Sequence, residues 1–188
     1  VVDGGSTDGT IELLESLKGK KNLKVINDGT KYTACSGRNK AISLAGNEII
    51  AVMDDDCIPE KDWLARLVEP FDDLKIGMTS SFSLWGGTST AFRSEFLKAI
   101  RGFDESYGYY REDTDIVLKC IEQGFERKIV DAKFFHDHHL EKPKGGIIGL
   151  IRHGLKRTKF HRNDALLFKK HPNKACSEFL HLKLGFLV

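Results

Sequence analysis

One short apolar run constrains the fold of this chain more than any other segment. Residues 49–53 (Ile-Ile-Ala-Val-Met) follow Glu48 and precede three consecutive acids, Asp54-Asp55-Asp56. A strand with one solvated face alternates apolar and polar side chains, whereas a strand covered on both faces is continuously apolar. The run therefore predicts a central strand in a sheet that is covered on both sides.

Strand and helix patterns alternate along the rest of the chain. The apolar patterns predict further strands at 1–2, 23–26, 76–82 and 88–92, and one or two more within 126–135. Apolar residues at helical spacing predict helices at 11–17, at 36–45, from Pro59 to Phe71, after Ser94 and at 112–123. This alternation predicts an α/β domain with a mainly parallel central sheet flanked by helices. Ligands of such sheets bind at the carboxyl ends of the strands.

The composition is that of a globular domain. The chain has 188 residues, of which 40% are apolar and 30% charged, and 4 are proline. These values exclude disordered and low-complexity classes, and the longest apolar run is far shorter than the ~18 residues of a membrane-spanning helix. Four widely spaced cysteines without a Cys-x-x-Cys pair argue against a zinc knuckle or a disulfide scaffold. Since the sequence shows no signal peptide, we expect a cytoplasmic protein.

Charge divides the chain into an acidic body and a basic tail. Residues 1–140 contain 18 basic and 24 acidic side chains, a net charge of −6, whereas residues 141–188 contain 11 and 3, a net charge of +8. In the tail, Arg152 and Arg157 lie beside Ile151 in an amphipathic pattern. Such a segment either covers the sheet as an ordinary helix or lies on an anionic membrane surface. Regularly spaced aromatic residues do not accompany the charges, so we expect no nucleic-acid partner.

Acidic residues mark the ends of two predicted strands. Asp3 closes the first strand, and Asp54-Asp55-Asp56 close the central one. Two carboxylates one residue apart can bind a hard divalent cation such as Mg²⁺ or Mn²⁺ and leave positions open for phosphate oxygens. By themselves, three acids after a strand also fit a solvated loop. Cys57, which follows them, fits a small buried apolar residue.

Two further clusters are candidates for chemistry. His136 and His138 follow a predicted strand, whose alternate residues face one side, so they either share a metal or form polar surface. Glu112 and Asp113 fall in the first turn of a predicted helix, where the helix dipole favours acids whatever their function. Trp85, beside two glycines, fits either a core residue or a platform that stacks on a sugar.

Five short motifs occur in order along the chain. They are VVDGGSTDGT (1–10), SGRN (36–39), MDDDCIP (53–59), GFDE (102–105) and EDTD (112–115). Each motif alone is weak, but the ordered set resembles family-2 glycosyltransferases, which have the GT-A fold. The resemblance covers roughly residues 1–140 and implies a GT-A catalytic domain there, without the family's first strand. Residues 141–188 lie outside it, and we predict that they form a basic helical extension.

The resemblance implies a donor and a metal. The donor is a nucleoside-diphosphate sugar, and the cofactor is magnesium or manganese. The resemblance implies a set of donor-binding residues, namely Asp3, Gly5, Ser6, Arg38, Asp54 and Asp55. The metal ligands that it implies are Asp56 and either His136 or His138.

The resemblance also assigns catalysis to the acidic pair Glu112 and Asp113, with Asp113 as the base. Inverting transfer needs one base that removes the acceptor proton while the hydroxyl attacks the anomeric carbon. A metal neutralises the charge that grows on the departing diphosphate. The acceptor that we expect is a glycan or a lipid-linked saccharide, and the basic tail is expected to contact the cytoplasmic face of a membrane.

Two other functions fit parts of the sequence. A nucleotidyltransferase also binds nucleotide and metal at strand ends, but its glycine-rich loop needs a Lys or Arg, and residues 4–9 have neither. A non-catalytic sugar-nucleotide-binding or glycan-binding remnant is favoured by Gly4, where many family members have a second acid. The presence of Asp54, Asp56 and Asp113 argues against the remnant.

Overall fold

Helices and strands alternate in the computed structural model, which describes residues 1–137, 146, 155, 158 and 162–173. The helices are α1 (Thr10–Ser16), α2 (Ala34–Leu44), α3 (Trp63–Val68), α4 (Ser94–Ala99) and α5 (Glu112–Glu122), with a 3₁₀ turn at Glu69–Asp72. The strands are β1 (Ile49–Val52), β2 (Cys57–Pro59), β3 (Ile76–Ser80), β4 (Thr90–Arg93), β5 (Glu126–Ile129) and β6 (Phe134–His136). Residues 162–170 are also helical.

Four of the strands form a mixed sheet in the order β1-β4-β3-β5. Strand β4 runs antiparallel to both of its neighbours, whereas β3 and β5 are parallel. The α/β prediction is therefore confirmed, but the prediction of mainly parallel pairing is wrong for this sheet. The reason is the connection between β3 and β4, residues 81–89, which contains no helix. Parallel neighbours need a crossover of about a dozen or more residues, and this shorter link turns the chain back on itself.

The apolar run forms β1, which lies at the edge of the four-stranded sheet rather than at its centre. The expectation that both of its faces are covered is nevertheless confirmed. Ile50 and Val52 pack against one apolar cluster, and Ile49 and Ala51 pack against another. Successive strand side chains point to opposite faces, so each face receives two apolar residues, which explains why the run has no polar position.

The two apolar clusters connect the sheet to its helices. The first contains Met78 and Phe92, which are paired across β3 and β4, together with Phe96 of α4 and the buried face of α5. The second contains Ala91 of β4 and Leu67 of α3. Because adjacent residues of β4 belong to different clusters, α3 covers one face of the sheet, and α4 and α5 cover the other.

The strands predicted at 1–2 and 23–26 are reduced to a single parallel bridge between Val2 and Ile26. The backbone N–H of Asp3 donates to the Ile26 carbonyl at 2.9 Å. Asp3 therefore lies where this pair of extended segments ends, as its position after a predicted strand suggested.

Pro59 was expected in the first turn of a helix, but it ends β2, and α3 begins at Trp63. The reason is that β2 pairs with β6 in a separate two-stranded sheet, in which Pro59 lies opposite Phe134. Proline is tolerated there because an edge strand has backbone positions that need no N–H donor.

Some sequence predictions fall on residues outside the described part of the chain. These are His138, Cys176 and the amphipathic pattern around 151–157. The division into a 1–140 domain and a 141–188 extension stays a prediction. Among the described helices, none has both the length and the apolar character that crossing a membrane requires.

Gly77 in β3 leaves room for Phe125, and we expect Gly77→Ala to destabilise the fold. A Cβ atom at Gly77 would lie 2.5 Å from the Cβ of Phe125, which cannot move without its backbone. Overpacking of this kind should lower the free energy of unfolding by about 1–3 kcal/mol, as measured by urea denaturation. Gly46→Ala is the control, because a Cβ there would meet no atom of the described residues within 4 Å. Equal loss of stability in both variants would contradict the packing at Gly77.

Candidate active site

A cavity of about 330 Å³ opens where β1, β3 and β4 meet the start of α5. Strand β1 ends two residues before Asp54, β3 ends two residues before Phe82, and β4 begins directly after Thr88 and Ser89. These three ends lie at the same edge of the sheet because β4 is antiparallel to both neighbours. Loops from three strands and one helix terminus therefore converge on the cavity.

The structure brings together one group of the predicted site residues. The cavity-lining members of that group are Arg38, Asp54, Glu112, Asp113 and His136. Four other predicted donor-binding residues, Asp3, Gly5, Ser6 and Asp55, do not line this cavity. Their contact with a donor stays a prediction.

Arg38 of α2 connects the carboxylates of this cavity. Its guanidinium donates to Asp54 Oδ1 at 2.8 Å and to Glu112 Oε1 at 3.3 Å, and it lies 3.7 Å from Asp113 Oδ1. The Arg38 side chain is only 18% exposed, and its guanidinium stacks over the Phe103 ring at 5.3 Å. A partly buried guanidinium with three carboxylate neighbours holds the end of β1 against the start of α5.

Asp113 has a proton affinity suited to acid–base chemistry at neutral pH. Burial, together with the charge of Glu112, raises the pKa of Asp113 to about 7, although the Arg38 guanidinium acts in the opposite direction. Its side chain is 30% exposed and lines the cavity, so the carboxyl group is accessible. A carboxylate with such a pKa can accept a proton from a bound hydroxyl near pH 7.

Asp3 organises its own turn. Its Oδ2 accepts from the backbone N–H groups of Gly5 at 2.8 Å and Ser6 at 3.1 Å, and its Oδ1 accepts from the Ser6 hydroxyl at 2.5 Å. The Ser6 and Gly5 hydrogen bonds lower the pKa of Asp3, which is therefore ionised. Gly5 has φ +96°, a left-handed value that its missing side chain permits. These contacts shape the loop after the first extended segment.

A second cluster joins Asp56, Cys57 and His136. Their carboxylate, thiol and imidazole ligand atoms all lie within 4.8 Å of one another, and His136 Nε2 is 3.1 Å from Asp56 Oδ2. Although burial acts to raise it, the pKa of Asp56 is lowered by its hydrogen bonds with Cys57 and His136. Three donor atoms at this spacing are able to share one metal ion.

Cys57 belongs to this cluster for a reason that its sequence position does not reveal. Cys57 lies opposite His136 in the β2–β6 pair, which brings together residues that are far apart in the chain. The Cys57 thiol lies 3.1 Å from the Thr88 hydroxyl, and burial raises the pKa of the thiol. Cys57 is therefore not the apolar core residue that its sequence position suggests, and only the strand register shows its polar neighbours.

Asn39 is a second residue whose role sequence reasoning missed. Its Nδ2 donates to the Phe103 carbonyl at 2.8 Å and to Glu105 Oε1 at 2.9 Å, and its Oδ1 accepts from the Phe103 N–H at 2.7 Å. Asn39 thus fixes the loop whose Phe103 ring lies under Arg38. Gly102 is needed at this point because a side chain there would collide with the Asn39 amide.

The loop that precedes α5 also lines the cavity, with Tyr109, Tyr110 and Arg111. Tyr110 and Arg111 have φ values of +72° and +77°, which are uncommon for residues other than glycine. The segment has no apolar periodicity and no motif that marks it as part of a site, so its role was not predictable from the sequence.

A protein-family model and a curated relative both match this chain. The family model described as "Glycosyl transferase family 2" matches residues 1–122. Glycosyltransferase AglE of Haloferax volcanii is 34% identical to this chain over 67 residues, which are 35% of this chain and 22% of the relative.

Two solved structures share the fold. The mannosyltransferase PcManGT from Pyrobaculum calidifontis, solved in complex with GDP-Man and Mn²⁺, has a TM-score of 0.60 at 23% identity, over 69% of this chain and 44% of that one. S. aureus TarS, solved with UDP-GlcNAc, has a TM-score of 0.58 at 21% identity, over 71% of this chain and 47% of that one. These likenesses confirm the GT-A prediction. The chain spans 22% of the length of the curated relative and less than half of each solved structure.

We expect Arg38→Gln to destabilise the protein more at pH 8 than at pH 5. Without the guanidinium, the pKa of Asp113 rises further, and below that pKa Asp113 is protonated and no longer repels Glu112. Breaking a fully buried ion pair costs ~3–5 kcal/mol, and partial exposure of the carboxylates reduces the expected loss at pH 8 to about 1–3 kcal/mol.

The measurement is the free energy of unfolding in urea at both pH values. Arg66→Gln is the matched control, because Arg66 pairs with Asp62 on an exposed helix face, where an ion pair contributes little. A loss in the Arg38 variant that is the same at both pH values would contradict the coupling between Arg38 and Asp113.

Proposed function

Because the chain belongs to glycosyltransferase family 2, we propose that it transfers a sugar from a nucleoside diphosphate to a hydroxyl group of an acceptor, with inversion at the anomeric carbon. The observation that carries this proposal is the position of Asp113. Its carboxyl group, with a pKa of about 7, lines the same cavity as Arg38 and Asp54. The proposed base, Asp113, and the proposed donor contacts, Arg38 and Asp54, therefore face the same cavity.

The proposed reaction uses Asp113 as the general base. The acceptor hydroxyl attacks the anomeric carbon on the side opposite the leaving group, and its proton passes to a carboxylate oxygen of Asp113. A new bond forms between the acceptor oxygen and the anomeric carbon, while the bond from that carbon to the diphosphate oxygen breaks. The nucleoside diphosphate leaves with the electron pair. Glu112 stabilises Arg38 beside the base through their hydrogen bond.

Arg38 and Asp54 are the proposed donor contacts inside the cavity. The Arg38 guanidinium offers N–H groups that suit phosphate oxygens, and an Asp54 carboxylate oxygen suits a sugar hydroxyl. Asp54 is held by Arg38 and by its own N–H, which donates to the Thr88 hydroxyl at 3.3 Å. Asp3, Gly5, Ser6 and Asp55 complete the proposed donor set outside the cavity.

Asp56 and His136 are the proposed ligands of a divalent metal, with the Cys57 thiol as a third donor. Carboxylate and imidazole ligands suit Mn²⁺, and the thiol favours a softer ion than Mg²⁺, so manganese fits this set better than magnesium. When bound, the metal would neutralise charge on the departing diphosphate. The Mn²⁺ in the PcManGT complex supports the proposal.

The proposed acceptor is a saccharide, free or linked to a lipid. Phe82 lines the cavity and is 54% exposed, so its ring can stack on a sugar ring, whereas Trp85 packs against the apolar clusters and under the Arg127 guanidinium. Cytoplasmic location and contact of the basic tail with a membrane stay proposals, because the residues of the amphipathic pattern lie outside the described part of the chain.

The test is the pH dependence of sugar transfer by the complete protein, with a panel of GDP- and UDP-sugars as donors and Mn²⁺ present. Below pH 7 we expect kcat/KM to fall about tenfold for each pH unit, because a protonated Asp113 cannot accept a proton. Asp113→Asn should lower kcat by about 10²–10⁴-fold, the usual contribution of a general base, and leave the Kd of the donor unchanged.

The control for this experiment is Asp72→Asn, which removes an exposed carboxylate that does not line the cavity and should leave kcat unchanged. Undiminished transfer by Asp113→Asn would show that another group is the base. Donor binding without any transfer by the wild-type protein would contradict the enzymatic proposal and favour a binding remnant.

A further inference from the structure

Helix α5 begins after two residues whose backbone is left-handed. Arg111, the N-cap residue, has φ +77°, and its side chain makes no capping hydrogen bond. Tyr110 before it also has a left-handed φ. Left-handed backbone at non-glycine residues is strained and persists only where surrounding contacts hold it. The contacts that hold this turn must come from elsewhere in the fold.

One side chain from the basic tail, Asn163, supplies those contacts. Its Nδ2 lies within hydrogen-bond distance of three backbone carbonyls, those of Tyr107 at 2.9 Å, Tyr109 at 2.7 Å and Tyr110 at 2.8 Å. The amide has two hydrogens for these three acceptors, so at least one hydrogen is shared. The three carbonyls of the turn therefore share one hydrogen-bond donor, the Asn163 side-chain amide.

The next residue, Asp164, holds the other half of the turn. Its Oδ1 accepts from Arg111 Nε at 2.6 Å, and both side chains are at most 15% exposed. A charge-assisted hydrogen bond with this little exposure is stronger than a surface ion pair. Asn163 and Asp164 together therefore restrain the backbone and the side chain of the residues that precede α5.

The 162–173 segment is itself anchored to α5. Leu167 is buried against Tyr107 and Leu118. The His171 ring lies between two acids of α5, with Nε2 2.9 Å from Asp115 Oδ1 and Nδ1 2.7 Å from Glu122 Oε1. Anchors beyond Asn163 along the segment keep its amide facing the turn.

We propose that Asn163 and Asp164 are positioning residues that hold the loop before α5 so that Asp113 faces its substrate. This inference rests on the proposed function. Glu112 and Asp113 are the first two residues of α5, so the direction of their carboxyl groups follows from the way the helix starts. A misplacement of about 1 Å can lower a rate on the order of 100-fold.

The proposal separates turnover from donor binding. Arg38 and Asp54, the proposed donor contacts, belong to α2 and to the loop after β1, and neither has a hydrogen bond to the 162–173 segment among the described contacts. Arg38 also donates to Glu112 of α5, but its shorter hydrogen bond to Asp54 does not involve that helix. Loss of Asn163 should therefore disturb the base more than the donor contacts.

The experiment compares Asn163→Ala, Asp164→Asn and the control Lys169→Ala in the complete protein. Lys169 is an exposed residue of the same segment. We expect Asn163→Ala to lower kcat on the order of 10- to 100-fold and Asp164→Asn to lower it less, with the donor Kd within twofold of wild type and Lys169→Ala unchanged. The donor Kd is measured by titration with the nucleoside diphosphate that binds wild-type protein.

Hydrogen exchange provides a second readout that does not depend on catalysis. The Asp115 N–H donates to the Arg111 carbonyl at 2.8 Å, and this amide should exchange faster in Asn163→Ala than in Lys169→Ala. Unchanged kcat and unchanged exchange in Asn163→Ala would overturn the proposal. Equal losses of donor binding and turnover would also overturn it, because the segment would then support the whole fold.

The outcome for wild-type protein separates this inference from the proposed function. A wild-type protein that neither binds a nucleoside diphosphate nor transfers a sugar contradicts the proposed function, and the inference fails with it. If the wild-type protein is active, and Asn163→Ala and Asp164→Asn are each as active as the wild-type protein, only the inference fails.

Discussion

The arrangement of the cavity depends on one guanidinium. Arg38 lies among the carboxylates of Asp54, Glu112 and Asp113, which come from the end of a strand and the start of a helix. Three carboxylates so close together, and partly removed from water, would repel one another without a cation between them. Arg38 thus lets Asp54, a proposed donor contact, and the proposed base occupy the same cavity, and it limits the rise in the pKa of Asp113.

Helix α2 holds Arg38 in position because contacts made before and after Arg38 in the sequence fix the first turns of the helix. A capping box between Thr33 and Ser36 starts the helix, and Asn39 ties it to the Phe103 loop. Phe103 is buried, and its ring supports the guanidinium. The SGRN and GFDE motifs are therefore two halves of one structural unit that holds the cation in place.

The sequence predicted the parts of the site that lie within motifs. Arg38, Asp54 and Asp113 were identified because each falls in a short motif at the end of a predicted strand or the start of a predicted helix. The direction of β4 was not predictable from apolar patterns, since it depends on how the 81–89 link turns. Cys57 and His136 meet only through strand register, and Asn163 reaches carbonyls 53 to 56 residues away. No local pattern encodes contacts at such separations.

The most direct test of this account is isothermal titration of the complete protein with GDP and UDP, with and without Mn²⁺. The same titration is made on an Asp54→Ala, Asp56→Ala double variant, with Asp72→Ala as a control. The account predicts that one diphosphate binds in the presence of Mn²⁺, that binding is lost in the double variant, and that it persists in the control. Binding that is indifferent to both the metal and the two aspartates, or no binding of either diphosphate, would contradict it.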